Sequence, residues 1–225
     1  MCACGRAEVE REERERTTRR EQQVVQELST YSLIDDRFRQ STFDRFTETT
    51  DNARALRICK NYVEHFDEMY ESNTGLLMFG PPGTGKTFAA ACIANALMQK
   101  GIPVLVTSIV KLTGGGVFND DLQITLRKMQ SARLLVLDDL GAERNTDFKS
   151  EQIFDVIDTR YNNRKPMIIT TNLTMDAIKR DPDIRRQRIN DRILECCHPV
   201  KMDWESWRRN TAMAKYKNTV SILEG

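Results

Sequence analysis

A chain of 225 residues with 40% hydrophobic and 30% charged content can bury one sizeable core, and no apolar run approaches the roughly 20 residues that a membrane helix needs. The formal net charge of +1 supplies no global field for a polyanion, so any nucleic-acid contact must come from a local basic patch. Six cysteines without framework spacing (Cys2, Cys4, Cys59, Cys92, Cys196 and Cys197), and a start with neither signal core nor transit pattern, lead to the expectation of free thiols in the cytoplasm.

Residues 6–27 are dense in Glu and Arg at three- and four-residue spacing, the pattern of an exposed helix. Residues 1–40 therefore read as a charged arm outside the core, either a solvated tail or a partner-binding segment, and 41–225 as one domain. Leu56, Ile58, Tyr62, Val63 and Phe66 predict a helix over 53–70 that covers something on one side. A short strand over 76–79 then meets a glycine-rich turn. A helix over 86–100 is apolar nearly all round, which predicts burial, and Gly101 ends it. The alternation repeats: strand 103–107, helix near 121–130, strand 134–137, helix 150–161 with Ile153, Phe154, Ile157 and Tyr161 in one stripe, strand 167–171. Residues 176–225 read as helical and basic, interrupted at 198–202 by a segment suited to an edge strand. Strands alternating with helices imply an α/β fold, a central parallel sheet flanked by helices on both faces.

Gly80-Pro81-Pro82-Gly83-Thr84-Gly85-Lys86-Thr87 fits G-x-x-x-x-G-K-[ST] between a predicted strand and a predicted helix, the context of a phosphate-binding loop. In such a loop backbone N–H groups cradle phosphate oxygens, Lys86 supplies charge to the β- and γ-phosphates, and the Thr87 hydroxyl holds Mg²⁺. Leu134-Leu135-Val136-Leu137-Asp138-Asp139 is a buried strand ending in two carboxylates, a Walker B element. Asp138 is expected in the Mg²⁺ shell, and Asp139 stands where P-loop ATPases of the AAA+ kind (ASCE type) place the acid that activates water. Asn172, at the tip of the next strand, suits a sensor beside the γ-phosphate. Arg188 and Arg192, four apart on a predicted helix, share a face from which one could reach a neighbouring subunit's ATP. No Asn-Lys-x-Asp guanine-reading motif follows, which favours adenine. No arginine-rich lid precedes the Walker B strand, which argues against a small-molecule kinase.

Leu137-Asp138-Asp139-Leu140-Gly141-Ala142-Glu143-Arg144-Asn145-Thr146 and the stretch 154–173 resemble the DnaC/DnaI-type (IstB-like) AAA+ helicase loaders and, a little less closely, the ATPases that assist transposition. The resemblance runs from about residue 43 to 217. It implies ATP and Mg²⁺ as cofactors, a sensor role for Asn172, and an arginine finger at Arg192 with Arg188 as second candidate. Ser206-Trp207-Arg208 matches the family's Ser-aromatic-Arg, which makes Arg208 a nucleotide contact on a reduced C-terminal lid. It also implies a replicative ring helicase and single-stranded DNA as partners, and a homo-oligomer when ATP is bound. The alternative is the direction of a transposase to target DNA. Two departures stand out. Only Cys2 and Cys4 remain of the family's zinc-binding cluster, too few for a structural site. The place of its DNA-binding insertion, 108–118, is interrupted by Gly114-Gly115-Gly116, which predicts a mobile loop with Lys111 and Phe118 as its DNA contacts.

Overall fold

Five short runs fold as one sheet: β1 (Gly75–Phe79), β2 (Val104–Ser108), β3 (Leu134–Leu140), β4 (Met167–Thr171) and β5 (Cys197–Lys201). Their order is β2-β3-β4-β1-β5, and every neighbouring pair is parallel. This computed structural model describes residues 36–110, 122–141 and 147–223, and residues 24, 26 and 28 individually; of 36, 37, 122–126, 147–150, 210, 214, 217, 218, 221 and 222 only the backbone is described. The helices are α1 (Asp36–Arg39), α2 (Ala53–Glu64), α3 (Phe66–Glu71), α4 (Lys86–Gln99), α5 (Leu122–Ser131), α6 (Asp147–Asn162), α7 (Met175–Lys179), α8 (Ile184–Cys196) and α9 (Trp207–Leu223), with a 3₁₀ turn at Phe43–Arg45.

Successive strand residues face opposite sides, so the core divides in two. Leu76, Met78, Val104, Val106, Leu134, Val136 and Ile168 pack with α2 and α4 through Cys59, Tyr62, Ala90, Ile93 and Leu97. Leu77, Leu105, Leu135, Leu137 and Ile169 pack with α6 and α8 through Ile153, Ile157, Ile189 and Ile193. Helix α4 packs against the sheet and against α2, which is why it is apolar all round. Its end is a Schellman turn: with Gly101 at φ +78°, Gly101 N–H donates to Met98 O at 2.9 Å and Ile102 N–H to Leu97 O at 3.0 Å.

Arg160 is 1% exposed and ties the ends of three elements together. Its guanidinium donates to Met129 O (2.9 Å) and Ala132 O (2.7 Å) at the end of α5, and to Arg133 O (3.2 Å) and Pro166 O (2.7 Å) before β3 and β4. Burial lowers its pKa from 12.5 to about 10.

The single helix expected over 53–70 breaks at His65 (φ −102°, ψ 29°), because the Val63 carbonyl, which an unbroken helix would give to Asp67, accepts instead from Lys100 Nζ at 2.9 Å. The segment expected as an edge strand is β5, beside β1, and Pro199 and Lys201 guard its open side. Most of the N-terminal arm lies outside the described residues. Its end does not stand clear of the core as expected: Leu28 is buried and Val24 packs beside it, since these apolar residues four apart share a helix face. The loop residues Lys111, Gly114–Gly116 and Phe118, and Cys2 and Cys4, also lie outside the described residues. Among the described residues no helix is long and apolar enough to cross a membrane.

Candidate functional site

The parallel strands carry their connecting loops to one end of the sheet, and there the loop 80–87 joins β1 to α4. Its glycines are forced. Gly80 (φ +141°) lies so close to the segment after β5 that a Cβ would stand 2.1 Å from Met202 O, and Gly83 (φ +88°) so close that a Cβ would stand 2.0 Å from Ser206 Oγ. Thr84, fully buried, closes the loop by donating to Pro81 O at 3.1 Å. Lys86 Nζ donates to Gly80 O and Pro81 O, both at 2.8 Å, so the ammonium is held over the mouth of the loop. Burial lowers its pKa, opposed by Asp139 and Asp138 and assisted by Arg208.

On β3 the alternation breaks where the chemistry needs it to. The ladder with β4 runs in register at Leu137↔Ile169 and resumes at Leu140↔Thr171, so Asp138 and Asp139 together oppose the single residue Thr170. This is a bulge, and Asp139 takes a left-handed φ of +59° within it. Thr170 Oγ1 donates to Asp138 Oδ1 at 2.6 Å and accepts from Asp139 N–H at 3.0 Å. Thr171 Oγ1 donates to Leu140 O at 2.7 Å. Burial raises the Asp138 pKa, countered by hydrogen bonds from Thr170 and Thr87 and by the Lys86 charge, while Asp139 adds to the rise. Thr87 and Asp138 are therefore neighbours, as a shared Mg²⁺ shell requires. Among the described residues no cluster of three or more His, Cys, Asp or Glu could hold a metal alone, so a magnesium ion here would draw further ligands from phosphate and water.

Pro82, Gly83, Gly85, Lys86, Thr87, Asp139, Asn172 and Arg208 line one cavity of about 410 Å³. This is the size of a small-molecule site. Gly80, Pro81, Thr84 and Asp138 stand behind that lining and shape it. Arg208 reaches the cavity because Trp207 N–H donates to Gly83 O at 3.0 Å, pinning the start of α9 to the loop. Arg192 does not reach it. It sits on α8, ion-paired with Asp158 at 2.5 Å and over the rings of Phe154 (4.8 Å) and Tyr161 (5.7 Å); Arg188 lies over Phe154 at 5.7 Å.

The rest of the cavity wall was not legible as site. Phe38, Arg45, Phe46, Thr47, Phe88 and Trp207 complete it, with Phe46 and Phe88 rings 5.7 Å apart. These aromatics give the polar phosphate end an apolar, planar neighbour, the chemistry of a base pocket. The signal available was a pair of phenylalanines within the polar stretch ahead of the loop.

Comparison with known proteins places the chain in a family and a fold. The replicative helicase loader DnaC of Escherichia coli (strain K12) is 27% identical over 171 residues, 72% of this chain and 66% of that protein. A putative insertion sequence ATP-binding protein of Sinorhizobium fredii is 32% identical over 153 residues, 65% of this chain and 51% of that one. The crystal structure of the DnaC helicase loader superposes with a TM-score of 0.64 at 30% identity, covering 75% of this chain and 99% of that one, so the fold is that of an AAA+ P-loop ATPase. The family described as IstB-like ATP binding protein matches residues 7–215, and the chain belongs to that family.

Proposed function

We propose that this chain is an ATPase whose nucleotide state governs the loading of a replicative ring helicase onto single-stranded DNA. The observation that carries the proposal is the convergence of Lys86, Thr87, Asp139, Asn172 and Arg208 on one cavity in a chain similar to a helicase loader over most of that loader's crystallised length. ATP with Mg²⁺ supplies the transferable phosphoryl group and its charge-neutralising metal. Thr87 and Asp138 hold the metal shell, Lys86 and the loop N–H groups bind the phosphates, and Phe46 and Trp207 flank the base. Asp139 orients water and takes its proton, and Asn172 senses the terminal phosphate. Arg192 acts on a neighbouring subunit's ATP, so hydrolysis follows assembly.

Purified protein should hydrolyse ATP, faster with single-stranded DNA, and retain the host's replicative helicase in a pull-down whose yield changes between ATP and ADP. ATP turnover without any nucleotide-dependent helicase binding would overturn the loader reading. The relative described as an insertion sequence ATP-binding protein favours a second reading, delivery of a transposase to target DNA. ATP-dependent retention of a transposase in place of the helicase would establish it.

A further inference from the structure

We propose that Thr170 is a positioning residue for hydrolysis: its one hydroxyl sets the metal-ligating carboxylate of Asp138 and, through the backbone, the water-activating carboxylate of Asp139. The inference rests on the roles given above to those two acids. In a regular strand adjacent side chains point to opposite faces, so two consecutive carboxylates cannot serve one site without a local break. The bulge between Leu137 and Leu140 is that break, and it removes ladder hydrogen bonds where the backbone is least relaxed, at Asp139 with φ +59°.

Thr170 replaces what the ladder loses. It is fully buried, so water does not compete for its hydroxyl, and that hydroxyl is used in both senses. The proton goes to Asp138 Oδ1 at 2.6 Å, and a lone pair receives Asp139 N–H at 3.0 Å. Donation to one oxygen of Asp138 fixes the plane of the carboxylate. Acceptance from Asp139 N–H secures the left-handed turn that aims the Asp139 side chain into the cavity, where it stands in the wall. The β-branched side chain permits few rotamers, so the hydroxyl is held in place by its own methyl group. Loss of such outer hydrogen bonds costs about 10–100-fold in metal affinity or activity in other metal sites.

The test uses the full chain with Thr170→Val, of the same shape without the hydroxyl, and Thr170→Ser, which keeps the hydroxyl and loses the methyl. The readouts are kcat and KM for ATP, nucleotide affinity without metal, Mn²⁺ affinity of the nucleotide complex by electron paramagnetic resonance, and thermal stability. Thr170→Val should keep its metal-free nucleotide affinity, while kcat and Mn²⁺ affinity fall about 10-fold or more and the KM for the metal–nucleotide complex rises in step with the lost metal affinity. Thr170→Ser should recover most of both. Parental kcat and Mn²⁺ affinity in Thr170→Val overturn the proposal, as does equal impairment of the two variants, which would show that the hydroxyl by itself does not set the two acids. Should Thr170→Val fail to fold, Thr170→Ser alone decides, since loss of kcat there also overturns it. Asp138→Asn is the reference: if it keeps Mn²⁺ affinity, the assignment of the metal site is wrong; if it loses affinity and Thr170→Val does not, only the role of Thr170 is wrong.

Discussion

Ser206 stands against Gly83 so closely that a Cβ on the glycine would lie 2.0 Å from the serine hydroxyl, while the next residue, Trp207, donates its N–H to the Gly83 carbonyl at 3.0 Å. The phosphate loop and the start of α9 are thus one packed unit. Gly83→Ala should force Ser206 away and place alanine at φ +88°, costing about 1–3 kcal/mol of stability. It should also raise the KM for ATP as Arg208 is displaced. Unchanged melting temperature and KM would mean that the two segments move independently.

The loop lysine and the second Walker B acid should separate kinetically. Lys86→Ala removes the buried ammonium and should weaken ATP binding and turnover by about 100-fold or more. Asp139→Asn keeps Asp138 and the loop intact, so it should bind ATP with Mg²⁺ normally and lose about 10²–10⁴ in kcat. Equal losses of binding and turnover in Asp139→Asn would mean that the roles of the two acids are exchanged or shared.

Arg160 offers a test of the fold apart from the site. Arg160→Leu leaves carbonyls of Met129, Ala132 and Pro166 without their buried donor, a loss of about 1–3 kcal/mol for each acceptor left unsatisfied. Chemical denaturation should show it as a lower midpoint. An unchanged midpoint would show that water satisfies those carbonyls.

Burial raises the Asp138 pKa above its ordinary 3.8 in the absence of nucleotide and metal, so the folded state binds a proton more readily there than the unfolded chain. The stabilisation from that proton is full below 3.8 and is lost as pH rises through the elevated folded value. At neutral pH the bare carboxylate therefore works against folding. Asp138→Asn should raise the melting temperature of the nucleotide-free protein at pH 7, by a margin that shrinks toward acid, while abolishing Mg²⁺-dependent turnover. A variant less stable than the parent at pH 7 would contradict this sign.

Much of the site was readable because its parts are contiguous in sequence: Gly80 to Thr87 is one loop, and Asp138-Asp139 ends one apolar run. The sheet was readable because strands covered on both faces are apolar throughout. What the sequence withheld depends on segments meeting from afar. Phe46 becomes cavity wall only through packing near Gly85 and Phe88, and the bulge at Asp138-Asp139 exists only opposite Thr170. The break at His65 likewise needs Lys100, whose side chain reaches back to Val63. Spacing rules see neighbours along a helix or strand and none of these partners.

The fold holds Arg192 away from the cavity of its own chain. Its guanidinium is paired with Asp158 and stacked on Phe154, and its Nη1 is buried with no hydrogen-bond partner among the described residues. If Arg192 acts in trans as proposed, ATP turnover should rise with protein concentration, and an arginine in trans is worth about 10³ or more in rate in other phosphoryl-transfer systems. Arg192→Ala, which binds ATP through its own intact loop, and Lys86→Ala, which keeps Arg192, should each be inactive alone and recover activity when mixed. Asp158→Asn separates the two roles of Arg192 further: it removes the resting ion pair and leaves the guanidinium, so assembled protein should retain turnover while losing some stability. If Arg192→Ala alone hydrolyses ATP normally at concentrations where the parent assembles, the arginine serves only the α6–α8 contact, and Arg188 is the residue to test in trans.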